Sequence, residues 1–220
     1  TYLFWVYPDI ALALYLLRIY SLNWIKVMIN KGQLLNLVID PALDSLKLNS
    51  DAARKLLLIT AAAESNCGDY IKQFPEGPAH GIYQMEKNTY YDVWDNYINY
   101  RKELNKRILN STYYTEEPDC ECLMWDVRLA TGMARIHYLR WPERLPDATD
   151  DEGLVRYYYK YWGPNPNRTS LDMVRERIKT VTKGVIYDQA NSLLLEVGLS
   201  GLLTGFKADE LQYIVFSSFI

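Results

Sequence analysis

The chain has 220 residues, 49% of them hydrophobic, and a formal net charge of -3, which suffices for a buried core and most simply for one domain. The acidic balance, with no run of basic residues and no glycine-rich phosphate loop, argues against a nucleic-acid binder and against a triphosphatase. Two histidines, His80 and His137, and three cysteines, Cys67, Cys120 and Cys122, supply neither a histidine metal site nor a pair of zinc knuckles, so no metal and no cofactor is expected.

Residues 1–27 are densely apolar and aromatic, but Pro8, Asp9 and Arg18 interrupt them and no basic start precedes a clean apolar run. They are read as an extension outside the functional domain, with a membrane anchor as the alternative. The domain is placed at residues 28–182. Its first helix carries Leu34, Leu35, Val38, Ile39, Leu43 and Leu46 and is disturbed at Pro41. A second helix follows an Asn49-Ser50 cap. Residues 56–63 are apolar on every side except at Thr60, as befits a helix surrounded by protein. Glu64 closes it, with Gly68 as terminator. Leu57 and Ala61 exclude water from that face and the helix dipole opposes negative charge there, so this carboxyl is expected to hold its proton near neutral pH. An acid marking where a buried helix surfaces is the plainer alternative.

Downstream, a loop rich in Gly and Pro leads to Gly81-Ile82-Tyr83-Gln84-Met85, and a short hairpin can hide between Tyr70 and Tyr83. Tyr90, Val93, Trp94, Tyr97, Leu104 and Ile108 mark one long amphipathic helix entered at Asn88 or Thr89, with the polar residues 101–107 on its outer face. Pro118 precedes a helix over residues 122–140, which Pro142 stops. A loop over 143–150 leads to Gly153 and a tyrosine-rich helix that runs to Trp162, and Ser170 caps a last helix with Leu171, Val174, Ile178 and Val181. Residues 183–220 form a second apolar extension. The odd cysteine count, with two only one residue apart, points to reduced thiols, as in a protein made in the bacterial cytoplasm. A bridge from Cys67 to Cys120 or Cys122 is the alternative.

Glu64-Ser65 at a helix end, followed by the Gly81 to Gln84 turn, resembles the goose-type lysozyme and soluble lytic transglycosylase branch of the lysozyme-like superfamily. The segment Trp125-Asp126-Val127-Arg128-Leu129-Ala130-Thr131-Gly132-Met133-Ala134-Arg135-Ile136-His137-Tyr138-Leu139 is similar to the family's third helix. Leu154-Val155-Arg156-Tyr157-Tyr158 falls where the family carries Ala-Tyr-Asn. The likeness runs from about Met28 to about Val181 and is strongest to short transglycosylase-like proteins of tailed bacteriophages. There the glutamine turn is flanked, as here, by Gly-Pro-Ala and an acid.

The resemblance implies a mainly α, lysozyme-like domain with a short hairpin beside the cleft. It implies cleavage of the β-1,4 bond between N-acetylmuramic acid and N-acetylglucosamine, with Glu64 as general acid and then general base. Ser65 would position Glu64, bond an acetamido group or cap the helix. Gln84 would bind the sugar or brace its loop, Tyr83 would line a subsite or fill core beneath the turn, and Tyr157 would buttress Glu64. In that last role Tyr158 departs from the expected asparagine and Tyr161 is a rival. Glu86 decides between a one-carboxylate transglycosylase and a two-carboxylate hydrolase, with Asp69 and Glu76 as further candidates. The 19 tyrosines suit sugar stacking as well as packing. The implied partners are peptidoglycan glycan strands and other phage virion proteins, with virion association and action on the cell wall. A non-catalytic virion or wall-binding module and a membrane-associated component are the alternatives.

Overall fold

The structure, a computed structural model, describes residues 29–73, 77–163, 170–176 and 178–179. Both apolar extensions and Glu76 lie outside the described residues. The described part is mainly helical, with one small antiparallel sheet. A helical turn, Lys31–Gln33, continues through a π-helical stretch, Leu34–Ile39, into α1 (Asp40–Leu46). Pro41 lies inside this continuous run of helical backbone and has no N–H to give to the preceding turn. The expected disturbance therefore appears upstream of the proline, as a wider helical turn.

Helix α2 (Asp51–Ser65) begins at Ser50, whose hydroxyl accepts from the Ala53 N–H at 3.2 Å. Leu56 to Ala63 are all buried, so this stretch of α2 is enclosed by protein on every side. Each enclosed leucine contributes about 2 kcal/mol of hydrophobic stabilisation. Helix α2 ends in the left-handed backbone of Asn66 (φ 52) and Cys67 (φ 61), ahead of Gly68 (φ 100). The terminator is thus Asn66, which tolerates this conformation, and not the expected Gly68. The Cys67 N–H bonds the Ala61 carbonyl at 2.9 Å, closing the end.

Strands β1 (Ala79–His80) and β2 (Met85–Glu86) pair antiparallel, with Ala79 opposite Glu86 and His80 opposite Met85. Residues 81–84 form the tip of this hairpin. Gly81 has φ 73, and a Cβ there would collide with the Leu123 carbonyl, so only glycine fits. The expected long helix is two. Helix α3 (Lys87–Val93) continues through π-helical Trp94–Ile98, the chain turns at Asn99 and Tyr100, and α4 (Lys102–Thr112) restarts. Neither proline nor glycine breaks it. The Arg101 N–H bonds the Ile98 carbonyl at 2.8 Å, and the Asn105 amide bonds the Asn99 side chain at 3.1 Å.

The expected helix over 122–140 also divides. A 3₁₀ turn, Cys120–Met124, precedes α5 (Val127–Leu139), because the Asp126 carboxylate accepts from the Leu129 N–H at 2.8 Å and opens a new helix there. Helix α6 (Asp151–Tyr161) begins at Asp150, which accepts from the Gly153 N–H. Ser170 accepts from the Met173 N–H, and residues 171–176 are helical, with Val174 and Ile178 buried. Helix α5 packs against α1, α2, α3 and α4, while α2 packs against α6. The three cysteines are free thiols. Among the described residues, no helix is long and apolar enough to cross a membrane.

Candidate active site

Glu64 occupies the last turn of α2 and is half-buried. Its Oε1 accepts a 2.6 Å hydrogen bond from the Tyr158 hydroxyl, and its backbone carbonyl accepts another, also 2.6 Å, from the Tyr70 hydroxyl. Tyr158 comes from α6, so the contact between α2 and α6 sets where this carboxylate points. One turn back on α2, Thr60 gives its proton to the Leu56 carbonyl at 2.8 Å, which leaves its oxygen to accept from the Tyr138 hydroxyl at 2.7 Å. Tyr138 is fully buried. Burial first, and then the nearby charge of Glu64, hold its hydroxyl well above the ordinary tyrosine range. It remains a donor throughout the working pH range.

Ser65 is wholly buried. Its hydroxyl donates to the Ile82 carbonyl at 2.6 Å and accepts from the Gly68 N–H at 2.9 Å. Of the roles expected of Ser65, the bond from Gly68 is the helix-end closure, and the hydroxyl bonds Ile82 and Gly68 and not the Glu64 carboxyl. Its burial leaves no hydroxyl face for an acetamido group. The bond to Ile82 ties the end of α2 to the hairpin tip, which brings Glu64-Ser65 and the Gly81 to Gln84 turn together.

Within that tip, Gln84 has φ 48 and is 8% exposed, and its amide donates to the Gly81 carbonyl at 2.8 Å. The side chain braces its own turn. A left-handed non-glycine residue costs about 1 kcal/mol or more, and such strain concentrates at functional turns. Tyr83 is buried, and its hydroxyl donates to Thr131, whose own proton goes to the Val127 carbonyl at 2.7 Å. It fills core beneath the turn; burial pushes its hydroxyl far above the usual tyrosine range.

The buttress expected at Tyr157 is supplied by Tyr158. Tyr157 turns instead to the 140–149 loop, where its hydroxyl bonds the Glu143 carbonyl at 3.1 Å. Tyr161 also goes to Glu143, through the carboxylate, which Lys160 reaches at 2.5 Å. Consecutive residues on a helix point about 100° apart, so a one-residue change of register moves the hydroxyl to a different neighbour. Glu86 is exposed at the edge of β2 and opens α3 without a side-chain cap. Asp69 is exposed and accepts from the Asn66 amide at 2.8 Å.

Beside this site, His137 fixes the end of α6. Its Nε2 donates to the Tyr161 carbonyl at 3.0 Å and its Nδ1 accepts from Arg140 at 2.9 Å. Burial, opposed by the Tyr161 carbonyl bond and reinforced by Arg140, pushes its pKa down to about 4. The ring is neutral, and Trp162 meets it edge-on at 5.0 Å. Among the described residues, no group of His, Cys, Asp and Glu is arranged to hold a metal ion. No family model, no curated protein and no solved structure matches the chain.

Proposed function

We propose that this chain cleaves the β-1,4 bond between N-acetylmuramic acid and N-acetylglucosamine in bacterial peptidoglycan by lytic transglycosylation, on a lysozyme-like helical domain. The observation that carries the reading is Glu64, a half-buried carboxyl at the end of an enclosed helix, with Oε1 held by Tyr158. The Tyr158 bond to Oε1 holds the carboxyl in one orientation. Glu64 gives its proton to the glycosidic oxygen as the C1–O bond breaks, and the leaving sugar departs as an alcohol. The resulting carboxylate takes the proton of the muramic acid 6-hydroxyl while that oxygen bonds C1. The products are a 1,6-anhydro end and a new free sugar hydroxyl, and Glu64 is protonated again. Tyr70 bonds the acid's own carbonyl and Ser65 ties the helix end to the hairpin tip, so the proton is delivered from a fixed place.

A single carboxyl suffices for this route. An inverting hydrolase would need a second one roughly 6.5 to 9.5 Å away to activate water. Glu86 follows the hairpin tip and is exposed, and it is the acid the alternative reading would use. Mass spectrometry of peptidoglycan digested by the full chain separates the two. Transglycosylation gives anhydro ends, one water lighter than reducing ends, and persists in Glu86→Gln. Reducing ends, lost in Glu86→Gln, would make the protein a two-carboxylate hydrolase. No soluble product at all would leave the domain as a binding or virion module.

A further inference from the structure

A groove of 450 Å³ lies between α4, Tyr97 and Leu139, at the other end of α2 from Glu64. Leu48, which lines it, stands just before the first turn of α2, so about 20 Å of helix separates the groove from the candidate acid. Its walls are Leu48, Leu104 and Leu139, and its charged groups are Arg101, Lys102 and Arg107 against the single carboxylate of Glu103. That local excess of positive charge stands out on a chain with net charge -3.

Two of the cations are held in place without being neutralised. The Arg101 guanidinium lies 3.5 Å over the Tyr97 ring and donates to the Tyr97 carbonyl at 3.0 Å. Among the described residues, Arg107 reaches the Leu46 carbonyl, at 3.4 Å. Behind them is a third guanidinium. Arg135 is 8% exposed, its Nε has no hydrogen-bond partner, and no described carboxylate pairs with it. It precedes Leu139 by one turn on the same face of α5 and feels the Tyr157 hydroxyl first and then that of Tyr97. Arg135 is not itself part of the groove wall, and from behind Tyr97 and Leu139 it adds positive potential to that side of the fold.

We propose that this groove binds a short acidic peptide of the bacterial wall, one with at least two carboxylates and one amine, as a second contact on the polymer that Glu64 cleaves. The inference rests on the proposed function for the identity of that polymer. Planar guanidinium forks match carboxylates. The leucine walls accommodate the methyl groups of alanine-type side chains, and the volume exceeds what a lone inorganic anion fills. Glu103 decides between ligand chemistries, because it offers a partner to an ammonium and repels a densely phosphorylated chain. Two weak contacts on one polymer raise the local concentration of glycan at the acid.

The test uses the full chain and a stem tetrapeptide released from peptidoglycan by an amidase, titrated calorimetrically. Saturable binding is expected, weakened by salt and reduced at least about tenfold in Lys102→Glu. That substitution introduces an acid in the first turn of α4, where the helix dipole favours it, so the fold is kept. Cleavage of peptide-free glycan strands should be the same in both proteins. Failure of the tetrapeptide to bind, equal binding by Lys102→Glu, or tighter binding of polyglycerol phosphate would overturn the inference. The strand assay keeps the two readings apart: a chain that cleaves strands but ignores the peptide loses only the groove, and one that binds the peptide without cleaving strands loses only the glycosidase.

Discussion

Lowering the pH from 7 to 5 should loosen the end of α6 through one residue, His137. In the folded chain its ring is neutral, with a pKa near 4, whereas in the unfolded chain it titrates near the ordinary 6.5. Between those values the unfolded chain binds one more proton, so stability is intact above about pH 6.5 and falls as the pH drops toward 4. The full displacement corresponds to about 3 kcal/mol, of which about 2 kcal/mol is lost by pH 5. The surrounding charges agree with this direction: Arg140 faces Nδ1 and repels a second ring proton, and the Asp92 carboxylate, itself bonded to Arg140, offsets only part of that. Asp92 and Glu143, both held below the usual carboxylate range, add their own losses at lower pH.

Urea unfolding at pH 7, 6, 5 and 4.5 reads the effect, with His137→Gln as the comparison. Glutamine keeps a donor for the Tyr161 carbonyl and cannot titrate. The wild type should lose about 2 kcal/mol between pH 7 and 5, and His137→Gln should lose far less over the same interval. Equal pH slopes in the two proteins would refute the reasoning.

Ser65→Ala removes a donor to Ile82 and an acceptor for Gly68 in a fully buried place, so unfolding free energy should fall by about 2 to 4 kcal/mol, measured by denaturation. Gly81→Ala combines φ 73 with a clash against the Leu123 carbonyl; it should cost more than about 1 kcal/mol and disorder the hairpin tip, seen as lost amide-exchange protection there. Tyr158→Phe should leave the fold intact by circular dichroism while lowering peptidoglycan cleavage roughly ten- to a hundredfold, the value of a hydrogen bond to a charged group. Tyr157→Phe, whose hydroxyl bonds the Glu143 carbonyl, should leave cleavage near wild type, and a reversed pair of results would return the buttress to Tyr157.

Much of the frame around Glu64 is legible in the sequence, because it rests on local chemistry. Ser50 and Ser170 cap helices through their own hydroxyls, and the all-round apolar run before Glu64 can only be an enclosed helix. What is not legible depends on contacts between distant segments. Both Tyr157 and Tyr158 are buried, so hydrophobic pattern does not say which of them faces α2; only the seating of α6 decides. The breaks at Asn99 to Arg101 and at Trp125 carry no glycine or proline, and side-chain bonds from Asn105 and Asp126 create them. Asp126 was the readable sign, a capping residue just before an apolar run. Asn66 was another, since asparagine enters the left-handed region more easily than most residues, and it precedes the glycine that the sequence favours.

The carboxyl of Glu64 is where the functional account stands or falls. Purified peptidoglycan treated with the unsubstituted chain and with Glu64→Gln, the released fragments weighed by mass spectrometry, gives the answer in one comparison. The unsubstituted chain should release fragments with anhydro ends, and folded Glu64→Gln should release them at least about a hundredfold more slowly, because its amide has no proton to transfer. Equal release by a folded Glu64→Gln protein would contradict the account.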